Sequence, residues 1–83
     1  MTIEALYKLY KSAPIVQTDT RSITEGCIFF ALKGENFDAN HFAKDALQAG
    51  AKYAVIDNPI YALDDRYILV HDVLDMLQQL ARY

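Results

Sequence analysis

The residues of this chain with the clearest chemical potential are Thr18, Asp19, Thr20 and Arg21. A guanidinium beside two threonine hydroxyls can bind a phosphate bidentately, while the hydroxyls and backbone N–H groups complete the cradle. The same residues are also typical of a structural turn, because short polar side chains bond to their own backbone and Asp19 can pair with Arg21. The segment alone leaves ligand contact and structural pairing both open.

A second polar segment, residues 33–38 with the sequence KGENFD, follows an apolar run over residues 27–32. The apolar run predicts a strand that is buried on both faces and therefore central in a sheet covered by helices. Gly34 would let a ligand or another stretch of backbone approach closely, and ligands of open α/β sheets bind outside the carboxyl ends of the strands. We therefore expect the two polar segments, one at each end of the buried run, to form two walls of a ligand site.

Few other residues suggest chemistry. His41 lies in the first turn of a predicted helix, where it could contact a ligand, whereas His71 is predicted at the surface and Cys27 in the core. Two histidines thirty residues apart and one cysteine do not have the spacing of a zinc site. The phosphate-binding pattern G-x-x-x-x-G-K-[ST] is absent, and no catalytic constellation is evident.

The elements that must position these residues alternate between strands and helices. The predicted helices begin near Ile3, Asn40 and Asp72, and the predicted strands cover residues 15–18, 28–32, 53–57 and 67–70. The middle of the chain predicts one βαβ unit, while the short connection 58–66 leaves the direction of the last strand open. The fold class is therefore α/β, a small mixed or mostly parallel sheet of about four strands with helices packed on it.

Helical periodicity also predicts the buried side of the last helix. Its members are Val73, Leu74, Leu77, Leu80 and Ala81.

Length and charge restrict the classes further. Eighty-three residues make one small domain, and a net charge of −3 without a Lys/Arg cluster argues against nucleic-acid binding. The apolar runs are far shorter than the ~20 residues that span a bilayer, no signal peptide is evident, and a single cysteine suits a reducing cytoplasm. The last residues, QQLARY, stop inside a helical pattern, so we expect a piece of a longer chain.

Several stretches together resemble the amino-terminal domain of the Mur ligases. They are TDTR at 18–21, Gly26, CIFFALKG at 27–34, Phe37-Asp38, Phe42-Ala43, Val55-Ile56-Asp57 and the final helix, which together cover nearly the whole chain. Within the family they most resemble the ligases that add D-alanyl-D-alanine to UDP-N-acetylmuramoyl-tripeptide in peptidoglycan synthesis. The ligases that add a diamino acid are the alternative.

The resemblance implies that residues 1–83 are the UDP-substrate-recognition domain of an ATP-dependent, amide-forming ligase of the cytoplasm. Its central ATP-binding domain and its C-terminal domain would lie in cis, beyond these residues. The full enzyme would use ATP and Mg²⁺ to form an acyl phosphate that an amine attacks. No cofactor is expected on these residues, whose partner would be UDP-N-acetylmuramoyl-peptide. A non-catalytic protein-interaction module is the alternative from another class.

The positions that match the family's substrate contacts lie in the two polar segments. They are Thr18, Thr20, Arg21, Gly34, Glu35, Asn36 and Phe37. Arg21 would contact phosphate or brace the turn through Asp19, with bracing favoured, and Phe37 would lie against the uracil or pack on the helix. At Ala39-Asn40 the family more often has Gly-His, so no ligand role is expected of Asn40.

Overall fold

A computed structural model describes residues 2–34 and 37–83. Within them, three α-helices and six strands follow one another along the chain. The order is α1 (Ile3–Ser12), β1 (Val16–Gln17), β2 (Ile28–Phe30), β3 (Lys33–Gly34), β4 (Phe37–Asp38), α2 (Ala43–Gln48), β5 (Tyr53–Ile56), β6 (Tyr67–Leu69) and α3 (Val73–Arg82). Three 3₁₀ turns cover Thr20–Ser22, Ala39–Phe42 and Pro59–Tyr61.

The main sheet has four parallel strands in the order β1-β2-β5-β6. This confirms the predicted α/β class and the βαβ unit, since β2, α2 and β5 follow one another and the two strands pair side by side. The direction of the last strand, left open by the sequence, is parallel. The connection from β5 to β6 therefore crosses the sheet with no more than a 3₁₀ turn in its described residues.

Strand β2 is central in the core, as the apolar run predicts. Ile28, Phe29 and Phe30 are all fully buried, and alternate side chains point to opposite faces of the sheet. Phe29 packs in a cluster with α2, while Ile28 and Phe30 pack in a second cluster with α1 and α3. The sheet therefore lies between one helix on one face and two helices on the other.

The helix starts follow from side chains that accept orphan N–H groups. The Thr2 hydroxyl accepts from the N–H of Ala5 at the start of α1, and the Asp72 carboxylate accepts from the N–H of Asp75 at the start of α3. Asp38 caps the Ala39–Phe42 turn. The predicted helix at 40–49 thus begins as a 3₁₀ turn and becomes α-helical at Ala43.

The prediction for the buried side of α3 is partly wrong. Leu74 is 51% exposed and Ala81 is exposed, whereas Met76, which was not predicted, is buried with Val73 and Leu80. The reason is that α3 meets the sheet and α1 along one narrow stripe of the i, i+3, i+7 kind. Leu74 and Ala81, one position away from that stripe, face solvent, whereas the predicted Leu77 is half-buried and packs against the cluster.

Two glycines meet at the amino edge of the sheet. Gly26 has φ +83° and Gly50 has φ +121°, conformations that L side chains rarely adopt. The N–H of Gly26 donates to the carbonyl of Gly50 over 2.8 Å, and a Cβ on Gly50 would stand 3.3 Å from the Cα of Glu25. The positive φ of Gly26 and its hydrogen bond to Gly50 therefore fix the turn that precedes β2.

Candidate functional site

The two polar segments lie at one edge of the sheet, not at the two ends of the buried strand. The segment 18–21 follows β1 and the segment 33–38 follows β2, and these neighbouring strands are parallel. The carboxyl ends of parallel strands meet at the same edge. Residues 20–26 then return the chain to the opposite edge before β2 begins, a path that the sequence alone does not reveal. The shared edge is where ligands of open α/β sheets bind.

The first segment is a turn organised by Asp19. Its carboxylate accepts from the backbone N–H of Arg21 at 2.9 Å and heads the 3₁₀ turn Thr20–Ser22. The Arg21 guanidinium folds back on the same carboxylate, with Nη2 donating to Oδ2 at 2.8 Å and Nε donating to Oδ1 at 3.1 Å. The side chain of Arg21 is 88% exposed. The pairing that the sequence left open is therefore present, on the surface.

This pairing also sets the protonation of both groups. The side-chain hydrogen bonds from Arg21, followed by the bond from its backbone N–H, lower the pKa of Asp19. The hydrogen bond to Asp19 in turn raises the pKa of Arg21. Both groups are charged at neutral pH, so the turn presents a neutralised ion pair and not a free cation. Because the pair is in solvent, its effect on stability is small.

A cavity of about 480 Å³ lies beside this turn. Its walls are the turn itself and the Ala39–Phe42 segment, and the fully buried Phe29 contributes to its lining. The complete lining is Thr18, Asp19, Thr20, Arg21, Phe29, Ala39 and Phe42. Hydroxyls and an ion pair on one side face apolar and aromatic groups on the other, which suits a ligand with a planar apolar part and polar substituents.

The predicted contact residues differ in where they lie relative to the cavity. Thr18, Thr20 and Arg21 line the cavity. The backbones of Gly34 and Phe37 pair with each other in an antiparallel ribbon of β3 and β4, where the sequence predicted a loop. Glu35 and Asn36 lie outside the described residues.

A buried polar junction at the same edge was missed by sequence reasoning. Asn40 is fully buried, and its side-chain amide donates to Asp38 Oδ1 at 2.6 Å and to Asp57 Oδ1 at 2.9 Å. Its carbonyl oxygen accepts from the N–H groups of Asp57, at 2.9 Å, and Asn58, at 3.3 Å. An amide has two N–H groups and two lone pairs, so the side chain of Asn40 has no capacity left for a ligand.

Asp57 is the other half of this junction. The Nζ of Lys33 lies 3.2 Å from Asp57 Oδ1, and the N–H of Val73 at the start of α3 donates to Oδ2 at 3.1 Å. The Asp57 side chain is 4% exposed and that of Lys33 is 51% exposed. One carboxylate thus joins β3, the Ala39–Phe42 turn, the end of β5 and the start of α3. A polar Asp directly after a buried strand is the sequence signal that could have indicated it.

The hydrogen bond from the side chain of Asn40 is the main cause that lowers the pKa of Asp38. Burial acts against it, and the backbone N–H of Asn40 and the positive charge of Lys33 add to it. Asp38 is therefore ionised at neutral pH and accepts from both the backbone and the side chain of Asn40.

The remaining candidates stand as follows. His41 is exposed, with its ring centroid 4.1 Å from that of Phe42, and His71 is exposed as predicted. Cys27 is buried in the core as predicted.

Comparison with known proteins decides the family. The profile described as "Mur ligase family, catalytic domain" matches residues 13–83. The chain belongs to the Mur ligase family. This confirms the resemblance to the Mur ligases that the sequence motifs indicate.

Relatives of this Mur ligase chain come from two branches of the family. It is 36% identical to the UDP-N-acetylmuramoyl-L-alanyl-D-glutamate–2,6-diaminopimelate ligase of Rickettsia typhi over 93% of its own length and 15% of the relative's. It is 44% identical to the UDP-N-acetylmuramoyl-tripeptide–D-alanyl-D-alanine ligase of Synechocystis over 77% of its length and 14% of the relative's. The chain thus spans about one seventh of these relatives.

A solved structure gives the same picture in three dimensions. The MurF ligase of Thermotoga maritima, crystallised in complex with ADP, superposes with a TM-score of 0.74 at 32% identity. The match covers 82% of this chain and 16% of that one. The packing of helices on both faces of a parallel sheet is therefore shared with a Mur ligase of known structure.

Two features that commonly hold ATP and Mg²⁺ are absent from this Mur ligase chain, one from its sequence and one from the residues that the structure describes. The 83 residues contain no G-x-x-x-x-G-K-[ST] pattern. Within residues 2–34 and 37–83, no three His, Cys, Asp or Glu side chains come together in a way that could hold a metal ion. No ATP-dependent step is therefore assigned to them.

None of the helices among the described residues is long and apolar enough to cross a membrane.

Proposed function

We propose that this chain is the part of a peptidoglycan ligase that binds the UDP end of UDP-N-acetylmuramoyl-peptide. The observation that carries the proposal is the cavity at the carboxyl edge of the sheet, between the turn at 18–21 and the turn at 39–42. Membership of the Mur ligase family supports it. The volume of the cavity lies within the range of ordinary ligand sites, roughly 300–1,000 Å³.

The lining of the cavity divides according to the chemistry of a nucleoside diphosphate. Thr18 and Thr20 offer hydroxyls, which can donate to phosphate or ribose oxygens. The half-buried Phe42 offers apolar surface for a planar base, whereas Phe29 is fully buried beneath the lining. Arg21 is held by Asp19, so we assign it a bracing role in the turn and not a phosphate contact. Gly34, Glu35, Asn36 and Phe37 stay predicted contacts of the second segment.

The proposed role is recognition and not bond formation. Binding of a remote part of a substrate supplies energy and orientation for a reaction at another place. In the complete ligase, ATP and Mg²⁺ would activate a substrate carboxylate as an acyl phosphate on other domains in cis, and an amine would displace the phosphate to form the amide. We place this enzyme in the cytoplasm, where UDP-linked precursors would meet it.

For the branch of the family, we propose the ligases that add D-alanyl-D-alanine. The similarity to the MurF structure of Thermotoga maritima supports this choice. The diaminopimelate-adding branch is the second candidate, supported by the relative in Rickettsia typhi. The discriminating measurement is ATP-dependent phosphate release by the full-length ligase, with the matching UDP-linked precursor and either D-alanyl-D-alanine or 2,6-diaminopimelate as the amine.

Titration of UDP into the isotopically labelled chain tests the proposal. We expect weak binding with amide shifts concentrated at residues 18–21 and 39–42, and a much weaker response to ADP at the same concentration. Unmoved amides at millimolar UDP, in a chain whose spectrum shows an intact fold, would contradict it.

The protein-interaction module is favoured by one observation. Ile60 and Leu63, in the connection between β5 and β6, are 78% and 63% exposed. Contiguous exposed apolar patches mark contact surfaces, so a partner of such a module would bind at this connection. Self-association by sedimentation without a response to UDP would support the module, and a monomer that responds to UDP would exclude it.

A further inference from the structure

The buried junction of Asn40 and Asp57 is a part of the molecule that the proposed function does not use. Each of the four hydrogen-bonding positions of the Asn40 amide is occupied within the protein. Its orientation is also determined, because the opposite orientation would turn its oxygen toward two carboxylates and its NH₂ toward two N–H donors. The junction therefore acts within the protein and not on a ligand directly.

One of the segments that the junction joins, the Ala39–Phe42 turn, forms the second wall of the cavity, and the ribbon of β3 and β4 precedes it. Asn40 belongs to the Ala39–Phe42 turn, and its neighbours Ala39 and Phe42 line the cavity. Lys33 begins the ribbon of β3 and β4, which leads directly into that turn. Through Lys33 and Asn40, both segments are tied to Asp57 at the end of β5. The first wall at Asp19–Arg21 has no such tie among its described contacts, since its hydrogen bonds are within the turn.

We propose that Asn40, Asp57 and Lys33 are positioning residues, which hold the second wall in its binding geometry before the ligand arrives. The inference rests on the proposed function, because it assumes that UDP binds in the cavity. A wall that is already ordered does not have to lose conformational freedom on binding, and affinity is higher for that reason. Loosening the junction should therefore weaken the binding of every ligand of the cavity, whether or not it carries phosphate.

Lys33 is the member of the junction that can be changed with the least damage to the core. Its side chain is half exposed, whereas Asp57 is almost fully buried. Without Lys33, Asp57 keeps its bonds to the Asn40 amide and the Val73 N–H. The ribbon, however, loses its direct ion pair with Asp57, and its remaining connection to Asp57 runs through Asp38 and Asn40.

The test compares Lys33→Met with Lys8→Met, which removes the same charge from an exposed lysine of α1 on the opposite face of the sheet. Affinities for UDP and for uridine are measured by titration at a temperature where all variants are folded. Backbone amide exchange is measured without ligand. We expect Lys33→Met to lower both affinities about threefold to tenfold and to accelerate exchange within residues 38–42. Lys8→Met should do neither, and Lys33→Arg should restore both readouts.

Three results would overturn the inference. Unchanged affinities with a lower urea midpoint would show that the junction only stabilises the fold. A loss for UDP but not for uridine, with unchanged exchange, would make Lys33 a direct phosphate contact. Unchanged amide exchange together with unchanged affinity would show that Lys33 does not position the second wall.

The same experiment tests the proposed function separately from the role of the junction. If the unaltered chain does not bind UDP, the proposed function fails, and amide exchange alone then decides whether the junction holds the wall. If Lys33→Met does not fold, Lys33→Gln, which keeps a polar group at the ribbon, provides the same measurements.

Discussion

Two turns face each other across the cavity, and they begin in the same way but end differently. In each, an aspartate accepts from the N–H two residues later and heads a 3₁₀ turn, Asp19 toward Arg21 and Asp38 toward Asn40. Arg21 then folds back on its own aspartate in solvent. Asn40 is instead buried and bonds to Asp57 and Asn58, which are distant in sequence. The first wall is therefore stabilised by contacts within its own turn, whereas the second wall is bonded to residues that are distant in sequence.

A third turn shows what the local motif contributes alone. Asp64 and Arg66 repeat the geometry of Asp19 and Arg21, with the same 2.8 Å contact between Nη2 and Oδ2. They lie just before β6, at the amino edge of the sheet. An Asp-x-Arg ion pair is therefore a property of the local sequence and does not indicate a ligand. The position of the first turn beside the cavity is what distinguishes it.

The largest expected effect is on the second wall. Asn40→Ala removes four hydrogen bonds and leaves the part-buried N–H groups of Asp57 and Asn58 without their acceptor, which should cost about 3 kcal/mol of unfolding free energy. Arg21→Ala and Arg66→Ala should leave the urea midpoint close to that of the unaltered chain. Urea denaturation followed by circular dichroism checks this difference, and a stable Asn40→Ala variant would remove the contrast between the two walls.

The next largest effect is expected from the threonine hydroxyls of the first wall. Replacement of Thr18 and Thr20 together by Val keeps the shape but removes two donors, and should weaken UDP binding about tenfold. Thr24→Val is the matched control, since Thr24 is an exposed threonine in the turn before β2. Calorimetric titration of both variants measures the difference. Equal affinities for the double variant and the control would mean that these hydroxyls do not touch the ligand.

A smaller effect is expected from the two arginines. Loss of a direct charge-assisted contact to phosphate would lower affinity by about tenfold or more. Because Arg21 braces its own turn, we expect Arg21→Ala to lower UDP affinity only about twofold to fivefold, and Arg66→Ala not at all. Parallel titrations decide it. A loss beyond tenfold for Arg21→Ala would show that the guanidinium leaves Asp19 to bind phosphate.

The smallest effect is on the titration of Asp38. Its pKa is lowered in the folded state, mainly by the side chain of Asn40. A depressed carboxyl pKa contributes stability that is present at neutral pH and is lost as the pH falls through the folded-state pKa. In Asn40→Ala, carboxyl ¹³C titration should show the pKa of Asp38 moving up toward its ordinary value. An unmoved pKa would indicate that Lys33 and the backbone hold the carboxylate ionised without the amide.

The sequence was sufficient for the elements whose signals are local. The unbroken apolar run made β2 central, the Thr2 and Asp72 caps set helix starts, and Gly26 marked a turn that requires positive φ. Such features depend on residues close to each other along the chain.

The rest depended on contacts between distant segments. That the turn at 18–21 lies beside the segment after β2 follows only once β1 is known to be parallel to β2. The Asn40 junction joins residues 17 positions apart, and an asparagine carries no sequence signal for burial. The narrow buried stripe of α3 is set by the angle at which that helix meets its neighbours, which periodicity does not determine.

The most direct test is to locate bound UDP on this chain. Intermolecular NOEs between the uracil or ribose protons of bound UDP and methyl groups of the labelled chain locate it without any substitution. If UDP occupies the cavity, we expect NOEs to the methyls of Thr18, Thr20 and Ala39, which line it. NOEs instead to Leu77, Leu80 and Ala81, which line a smaller groove beside Tyr10 on the opposite face of the sheet, would contradict it.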